Sequence, residues 1–216
     1  MRGHHSFFKR NGLLIVFMSF MVLCWLGQAY TGFKESKQER YEKGLPPFSF
    51  TEYLESGHFI QATFENWESE FLQMGLYVVL TVFLFQKGSA ESKKLDGSEE
   101  VDREPKVHEK APWPVKKGGI YLKLYKNSLS LAFFLLFIVS FFMHAYGTMK
   151  QINEEENKHF TLLQTIYENR FWFESLQNWQ SEFLSVASIV LLSVYLRQMG
   201  SPESKPVDTP HDETGG

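Results

Sequence analysis

The sequence of 216 residues carries a formal net charge of −3 and a single cysteine, Cys24. One cysteine excludes an intrachain disulfide framework, a cysteine-rich zinc site and a dithiol redox pair, and with them the thiol-oxidising four-helix membrane enzymes. The mean hydropathy of −0.24 is typical of a soluble protein, but the apolar residues are concentrated in four blocks separated by charged segments. An aromatic content of 16% favours membrane segments over a soluble core.

The first apolar block, Leu13–Tyr30, follows the basic residues Lys9 and Arg10. A basic start and the small residues of Gly27–Ala29 would also suit a cleaved signal peptide. The apolar run is longer than the usual signal core, however, and approaches the roughly 20 residues that cross a bilayer as a helix. We therefore favour a retained transmembrane helix.

Three further apolar blocks follow, at Phe71–Phe85, Ser128–Tyr146 and Phe183–Leu196. None of the four blocks contains proline, which predicts unbroken helices. Aromatic segments, Phe48–Trp67 and Phe160–Trp179, precede the second and fourth blocks and predict short helices at the outer membrane interface. We favour an aromatic belt that anchors each hairpin, and the alternative is a ligand cleft beneath these segments.

Basic residues predict how the chain crosses the membrane. The middle segment, Gln86–Asn127, holds ten Lys and Arg, whereas the loops Thr31–Glu70 and Gly147–Glu182 hold four and three. These two loops carry eight and six carboxylates. Because positive residues remain on the cytoplasmic side, we expect both termini and the middle segment to be cytoplasmic and the two acidic loops to face outward.

The chain contains an internal repeat. Residues 66–93 align without a gap with residues 178–205, and 16 of the 28 positions are identical. Upstream, Gln28–Tyr30 aligns with His144–Tyr146. Each copy has two predicted spans, so both enter the membrane in the same orientation, as parallel repeats related by a pseudo-twofold axis along the membrane normal.

The repeat predicts the domain organisation. We expect a first two-span repeat at 1–87, a flexible cytoplasmic linker at 88–119, a second two-span repeat at 120–199 and a disordered tail at 200–216. Gly88 and Gly200 are predicted to end their helices in the left-handed conformation. The predicted fold is therefore an all-α membrane protein with four transmembrane helices, arranged as two tandem helical hairpins with short interfacial helices in the outer loops.

A polar stripe is predicted on the second span, which we expect to face other helices. At helical spacing the stripe contains Asn66, Glu70, Gln73, Tyr77 and Thr81. The matching stripe of the fourth span begins with Asn178 and Glu182. Gly75 and Ala187, at equivalent positions, would let helices approach closely.

The depth of these residues predicts a candidate site. Glu70 lies about 24 Å along a helix from Gln86, which would place it near the outer boundary of the bilayer. Similar distances predict one polar layer near the outer leaflet, with a proton or cation site formed by Glu70, Glu182, His144, Gln28, Asn66 and Asn178. Imidazole and carboxylates also bind divalent metals, so the identity of any metal stays open. The favoured alternative is that the glutamates lie at the water interface, where Trp67 and Trp179 anchor the helices.

Four motifs indicate a family. The segments FFKRNG (Phe7–Gly12), WLGQAYTG (Trp25–Gly32), ATFENWESEFLQM (Ala62–Met74) and FLFQKGSAESK (Phe83–Lys93) resemble a bacterial family of small four-span membrane proteins known only as a domain of unknown function. The resemblance covers most of the chain outside the linker and the tail. It implies a bacterial inner-membrane location and transfers no functional residue.

The sequence has no P-loop and no nucleotide-binding glycine pattern, and its linker mixes basic with acidic residues, which argues against nucleic-acid binding. We expect an integral membrane protein of the bacterial inner membrane with a structural or partner-binding role. Its expected partners are the lipid bilayer and either a second copy or another membrane protein, and no cofactor is predicted. A proton or cation pathway through the paired glutamates is the alternative, and a membrane-embedded enzyme is third.

Overall fold

A computed structural model describes residues 6–156 and 158–215, and within these ranges the chain folds into α-helices without a β-strand. The helices are α1 (Phe7–Glu42), α2 (Phe50–Leu54), α3 (Gly57–Phe83), α4 (Trp113–Lys117), α5 (Gly119–Lys126), α6 (Ser128–Glu156), α7 (Leu162–Ile166) and α8 (Asn169–Tyr195). A single 3-10 turn covers Glu100–Asp102 in the segment between α3 and α4. The prediction of an all-α fold is confirmed.

Two of the described helices, α1 and α6, are long and apolar enough to cross a membrane. They contain the predicted spans Leu13–Tyr30 and Ser128–Tyr146. The other two predicted spans lie within α3 and α8, which begin much earlier, at Gly57 and Asn169. Part of each predicted interfacial segment is therefore the polar first half of a long helix, and only the five-residue helices α2 and α7 are separate elements.

The helices α2 and α3 recur 112 residues later as α7 and α8, with equal lengths. Both short helices begin with a capping box. In this motif the residue just before the helix and the third residue of the helix each accept, through their side chains, a hydrogen bond from the other's backbone N–H. In α2 the Glu52 carboxylate accepts the Ser49 N–H at 2.6 Å. In α7 the Gln164 side-chain oxygen accepts the Thr161 N–H at 2.9 Å. The two different sequences thus specify the same N-terminal cap for α2 and α7.

The GSAESK and GSPESK segments also fold alike. Ser92 Oγ accepts the Gln86 N–H at 2.9 Å, and Ser204 Oγ accepts the Gln198 N–H at 2.9 Å. Each serine satisfies a backbone donor just beyond the end of a long helix, where the helix itself offers no acceptor.

Gly88 and Gly200 adopt the predicted left-handed conformation, with φ of +85° and +84°. They do not cap helices, however, because α3 ends at Phe83 and α8 at Tyr195. Each glycine is instead the third residue of a turn, in which the N–H of the next serine reaches back to a glutamine carbonyl at 3.1 or 3.2 Å. A positive φ at this position favours glycine.

The chain divides into two compact units. The first unit holds Met1–Phe64 and Met143–Glu168, and the second holds Glu65–Phe142 and Asn169–Gly216. The division falls within α3 and α6, so each of these helices contributes residues to both units.

In the first unit, two glycines bring α3 and α6 into close contact. A Cβ atom at Gly57 would lie 2.2 Å from Gln151 N, and one at Gly147 would lie 2.3 Å from Gln61 N. No side chain separates the two backbones at these points. Small residues at such crossings are typical of packed membrane helices.

The interior of the first unit is largely polar. Its buried polar residues include Ser36, Ser56, Gln61, Thr63, Thr148, Gln151 and Thr165. A small apolar cluster of Ala29, Tyr53 and Phe59 lies beside them. Trp25 of α1 borders this cluster and donates its indole N–H to Thr63 Oγ1 at 3.2 Å. This bond joins α1 to α3 within the unit, as polar side chains commonly do between packed membrane helices.

In the second unit, Gly75 brings α3 close to α6, as predicted. A Cβ atom at Gly75 would lie 3.4 Å from atoms of Phe133 and Phe134. The equivalent position in α8, Ala187, is exposed, so the same expectation fails there. The two copies therefore share their local structure without sharing every contact.

The segments predicted as a flexible linker and a disordered tail contact each other in the second unit. The Gly88 N–H donates to Thr214 Oγ1 at 2.8 Å, and the Gly215 N–H donates to the Ser89 carbonyl at 3.0 Å. Ser89 Oγ also lies 3.0 Å from Ser193 Oγ of α8. The flexibility of 88–119 and 200–216 stays a prediction, and the structure adds these contacts to it.

Candidate functional site

The predicted polar layer draws its residues from both units, so as a whole it stays a prediction. In the first unit, Gln28 is half-buried on α1 and His144 is fully buried on α6. The other four residues belong to the second unit, where their positions can be compared directly.

Glu70 and Glu182, the symmetry-related glutamates, are close enough to interact electrostatically. Glu70 is exposed on α3, whereas Glu182 is half-buried on α8. The structure therefore brings the predicted pair within range, with one carboxylate in open surroundings and the other partly enclosed. Like charges held in this way favour binding of a proton or a cation.

The two asparagines differ in their surroundings. Asn66 is exposed, and its backbone carbonyl accepts the Ser69 hydroxyl at 2.7 Å. Asn178 is half-buried, and its side-chain amide donates to the Glu174 carbonyl one turn earlier, at 3.1 Å. One amide N–H of Asn178 thus bonds its own helix, which leaves its side-chain oxygen and its second N–H able to meet a ligand.

Trp179 packs into an aromatic cluster of the second unit. Its ring centroid lies 6.2 Å from those of both Phe137 and Trp172. The indole nitrogen is buried and has no hydrogen-bond partner among the described residues. A tryptophan that anchors a helix at an interface usually keeps this N–H hydrated or bonded. The anchoring role predicted for Trp179, and for the half-buried Trp67, stays a prediction.

Glu68 is the acidic residue that the sequence interpretation passed over. It is fully buried on α3, beside the buried Ser69 and Gln73. The predicted stripe was centred on Glu70, which places Glu68 outside it. One signal was available, because Gly75 lies seven residues after Glu68 on the same helical face and marks the packed side. A carboxylate at zero exposure is costly in free energy unless it is protonated or paired.

A second symmetry-related pair, Glu91 and Glu203, occupies equivalent positions of GSAESK and GSPESK. A hydrogen bond to the Glu91 side chain, the charge of Glu91 and partial burial, in that order, raise the pKa of Glu203. The Tyr77 hydroxyl of α3 donates to the Glu91 carboxylate.

This pair borders an open groove of about 1030 Å³ in the second unit. On its wall, Lys93 Nζ donates to Asp102 Oδ1 at 2.7 Å. This bond, followed by one from the Glu99 backbone, lowers the pKa of the Asp102 carboxyl. The groove therefore presents acidic and basic side chains close together.

Lys205, the second-copy equivalent of Lys93, is only 1% exposed. Its ammonium group donates to the backbone carbonyls of Pro210, His211 and Glu213 at 3.1, 3.2 and 2.7 Å. Burial, followed by the charge of Arg197, lowers the pKa of Lys205. The three carbonyls use all three ammonium donors, so this lysine fixes the course of the tail and offers nothing to a ligand.

Comparisons with known proteins give a family and no function. No curated protein matches the chain, and no solved structure matches it. A family model described as a domain of unknown function matches residues 4–216. The chain therefore belongs to the family called Domain of unknown function (DUF6766).

Proposed function

We propose that the chain is a four-span protein of the bacterial inner membrane, built from two tandem hairpins, with both termini in the cytoplasm. The helices α3 and α8 have 27 residues each, which at 1.5 Å per residue gives about 40 Å and exceeds the roughly 30 Å of the hydrocarbon layer. The recurrence of capping boxes, helix lengths and GSxESK turns supports the tandem arrangement.

We further propose a structural or partner-binding role, and the surface of α1 carries this proposal. The only buried residues of this 36-residue helix are Ala29, Gly32 and Ser36. Its apolar half is open, with Leu13, Phe17, Phe20 and Leu23 between 61% and 75% exposed. In a bilayer such a face lies against lipid or against a helix of another chain, and a second copy is the first partner to test.

Cysteine crosslinking tests this role, because Cys24 is exposed on the same helix. Oxidation in native membranes should join two copies through Cys24 if α1 lies at a twofold interface. Cys24→Ser is the control that removes the signal. Extraction of the protein by alkaline carbonate would refute membrane integration. A monomer in mild detergent, with no Cys24 crosslink to any membrane protein, would refute the partner role.

A proton- or cation-binding function is the second candidate, favoured by the buried Glu68 and the proximity of Glu70 to Glu182. An ionisable group within a membrane helix is by default a functional candidate. In proteoliposomes, Glu68→Gln and the double variant Glu70→Gln with Glu182→Gln should abolish flux, while the exposed linker variant Glu109→Gln should not. Wild-type protein that carries no flux under proton, sodium and potassium gradients would refute this candidate.

A further inference from the structure

The helices α4 and α5 share an exposed apolar surface, which we call the α4–α5 surface. Its members are Trp113, Ile120, Tyr121, Leu124 and Tyr125, which are between 44% and 61% exposed. The Trp113 ring packs edge-on against Tyr121, with the ring centroids 5.0 Å apart. The aromatic contact joins the two short helices into one face.

Lysines border this surface and no acid interrupts it. Residues 113–127 contain Lys116, Lys117, Lys123 and Lys126 and no Asp or Glu. On α5, at 100° per residue, Lys123 and Lys126 lie on the side opposite to the apolar arc. An amphipathic helix with lysines on its polar face and aromatic or aliphatic residues on the other is typical of segments that lie in a membrane interface.

The neighbouring acids leave most of this positive charge available. Glu104 meets Lys126 at 3.1 Å, but both side chains are exposed, at 85% and 47%. Ion pairs between exposed side chains are weak and are screened by salt. Lys116 donates to the backbone carbonyl of Glu109 and not to its carboxylate.

The position of α5 in the chain brings the surface to a membrane. α5 ends at Lys126 and α6 begins at Ser128, with only Asn127 between them. Because α6 is one of the two described helices that are apolar enough to span a bilayer, a helix joined to it by one residue would lie at the bilayer boundary when α6 crosses. The start of α1 repeats the pattern, with Phe7 and Phe8 exposed directly before Lys9 and Arg10.

We propose that α4 and α5 form an interfacial anchor that binds the anionic lipid headgroups of the cytoplasmic leaflet. The α4–α5 surface enters the boundary between headgroups and acyl chains, and the four lysines bind headgroup phosphates. Tyrosine and tryptophan suit this depth, because their rings are apolar and their polar atoms stay hydrated. The inference rests on the proposed function, since it requires α6 to cross the membrane with its N-terminus in the cytoplasm.

The test uses the full-length chain in nanodiscs of phosphatidylcholine, alone or mixed with phosphatidylglycerol. An environment-sensitive fluorophore is attached to Ile120→Cys in a Cys24→Ser background, and quenching by the neutral, water-soluble quencher acrylamide is measured. We expect the label at 120 to be protected when phosphatidylglycerol is present and more accessible without it. The matched control is Val107→Cys, at a linker position that is 69% exposed, which should be quenched equally in both lipids.

Loss of a lysine should weaken the anchor by a predictable factor. Lys123→Gln in the labelled protein should reduce the ratio of protected to accessible label about fivefold, from the typical contribution of one basic residue near an anionic surface. Lys94→Gln, an exposed position outside the two helices, should leave the ratio unchanged. Raised salt should act like the Lys123 change.

The outcomes separate this inference from the proposed function. A label on the natural Cys24 should be protected in both lipids if α1 spans the membrane. Protection at Cys24 with full quenching at 120 would overturn the anchor alone. Equal protection of the label at 120 in both lipids would refute the proposal that α4 and α5 bind anionic headgroups. Quenching at Cys24 in both lipids would overturn the proposed function, and the anchor with it.

Discussion

Replacing Gly57 or Gly147 with alanine should destabilise the first unit. The new Cβ atom would lie 2.2 Å from Gln151 N in one case and 2.3 Å from Gln61 N in the other. Ordinary contacts begin more than 1 Å further out, and backbone atoms cannot swing aside as the tip of a side chain can. The helices α3 and α6 must therefore move apart, which as overpacking costs about 1–3 kcal/mol.

The higher helix propensity of alanine offsets up to about 1 kcal/mol of that cost. With the full offset the net loss is up to about 2 kcal/mol for each variant, which for a chain of this size lowers Tm by up to about 8 °C, while the loss relative to an alanine variant without the clash stays at about 1–3 kcal/mol. The double variant should lose less than the sum of the two, because separation of the helices by the first methyl group makes room for the second.

Thermal unfolding in detergent, followed by tryptophan fluorescence, measures this loss. Trp25 bonds Thr63 within the same unit and reports its unfolding. Gly27→Ala is the matched control, since a Cβ atom there meets no atom within 4 Å and should preserve or raise Tm. A Gly57→Ala protein that unfolds at the same temperature as Gly27→Ala would refute the close crossing of the two helices.

Three other changes test the polar contacts. Glu203→Gln should stabilise the contact between the tail and Glu91 at neutral pH, by less than about 1 kcal/mol. The pKa of Glu203 is raised beside Glu91, so the wild-type contact is strongest below the ordinary pKa of 4.5 and weakens as pH rises through the raised pKa. Hydrogen exchange of the tail measures both effects. Lys205→Met leaves three carbonyls without their donor and should cost about 1–3 kcal/mol, seen as faster exchange after position 205. Tyr53→Phe removes the 3.1 Å bond to His58 and should lower stability by about 1 kcal/mol. Burial, followed by Glu35, raises the pKa of Tyr53 to about 12, so the wild-type advantage is complete below pH 10 and lost as pH rises through 12, which thermal unfolding across this range measures.

Each of these changes has an exposed counterpart that should have no effect. The controls are Asp208→Asn for Glu203, Lys94→Met for Lys205 and Tyr41→Phe for Tyr53. Tail exchange that is identical in wild type and Glu203→Gln at every pH would refute a pH-dependent contact between Glu203 and Glu91. Equal exchange in the two lysine variants, or equal stability in the two tyrosine variants, would show that the burial of Lys205 or Tyr53 contributes nothing.

The apolar runs predicted that each of the four blocks lies in a long helix, but not where the helices begin. Helix α3 starts at Gly57, in a segment of mixed polarity that hydropathy alone describes as a loop. This segment is helical because Gly57 and Gly147 let α3 pack on α6, and such a contact between distant parts of the chain leaves no period in the local sequence. The alignment of residues 66–93 with 178–205 was more informative, since its 112-residue offset is also the offset between α2 and α7 and between α3 and α8.

The candidate site as a whole stays a prediction. Repeat symmetry identified Glu70 and Glu182, which do lie within electrostatic range of each other. The alignment of the two segments gave no signal for Glu68, because its counterpart in the second segment is Gln180. Burial depends on which face of α3 meets its neighbours, and the glycine at 75 was the one residue that signalled it.

The contacts between the tail and the GSAESK segment impose an order on biosynthesis. Gly88 and Ser89 lie near the end of the first hairpin and are made early, yet their hydrogen-bond partners are Thr214 and Gly215. Chains fold from the N-terminus as they leave the ribosome. These backbone groups therefore leave the ribosome bonded only to water, and they gain their final partners after residues 214 and 215 have emerged. Closure of this contact therefore comes after the helices α3 to α8 have been made, and a nascent chain arrested before position 214 would lack it.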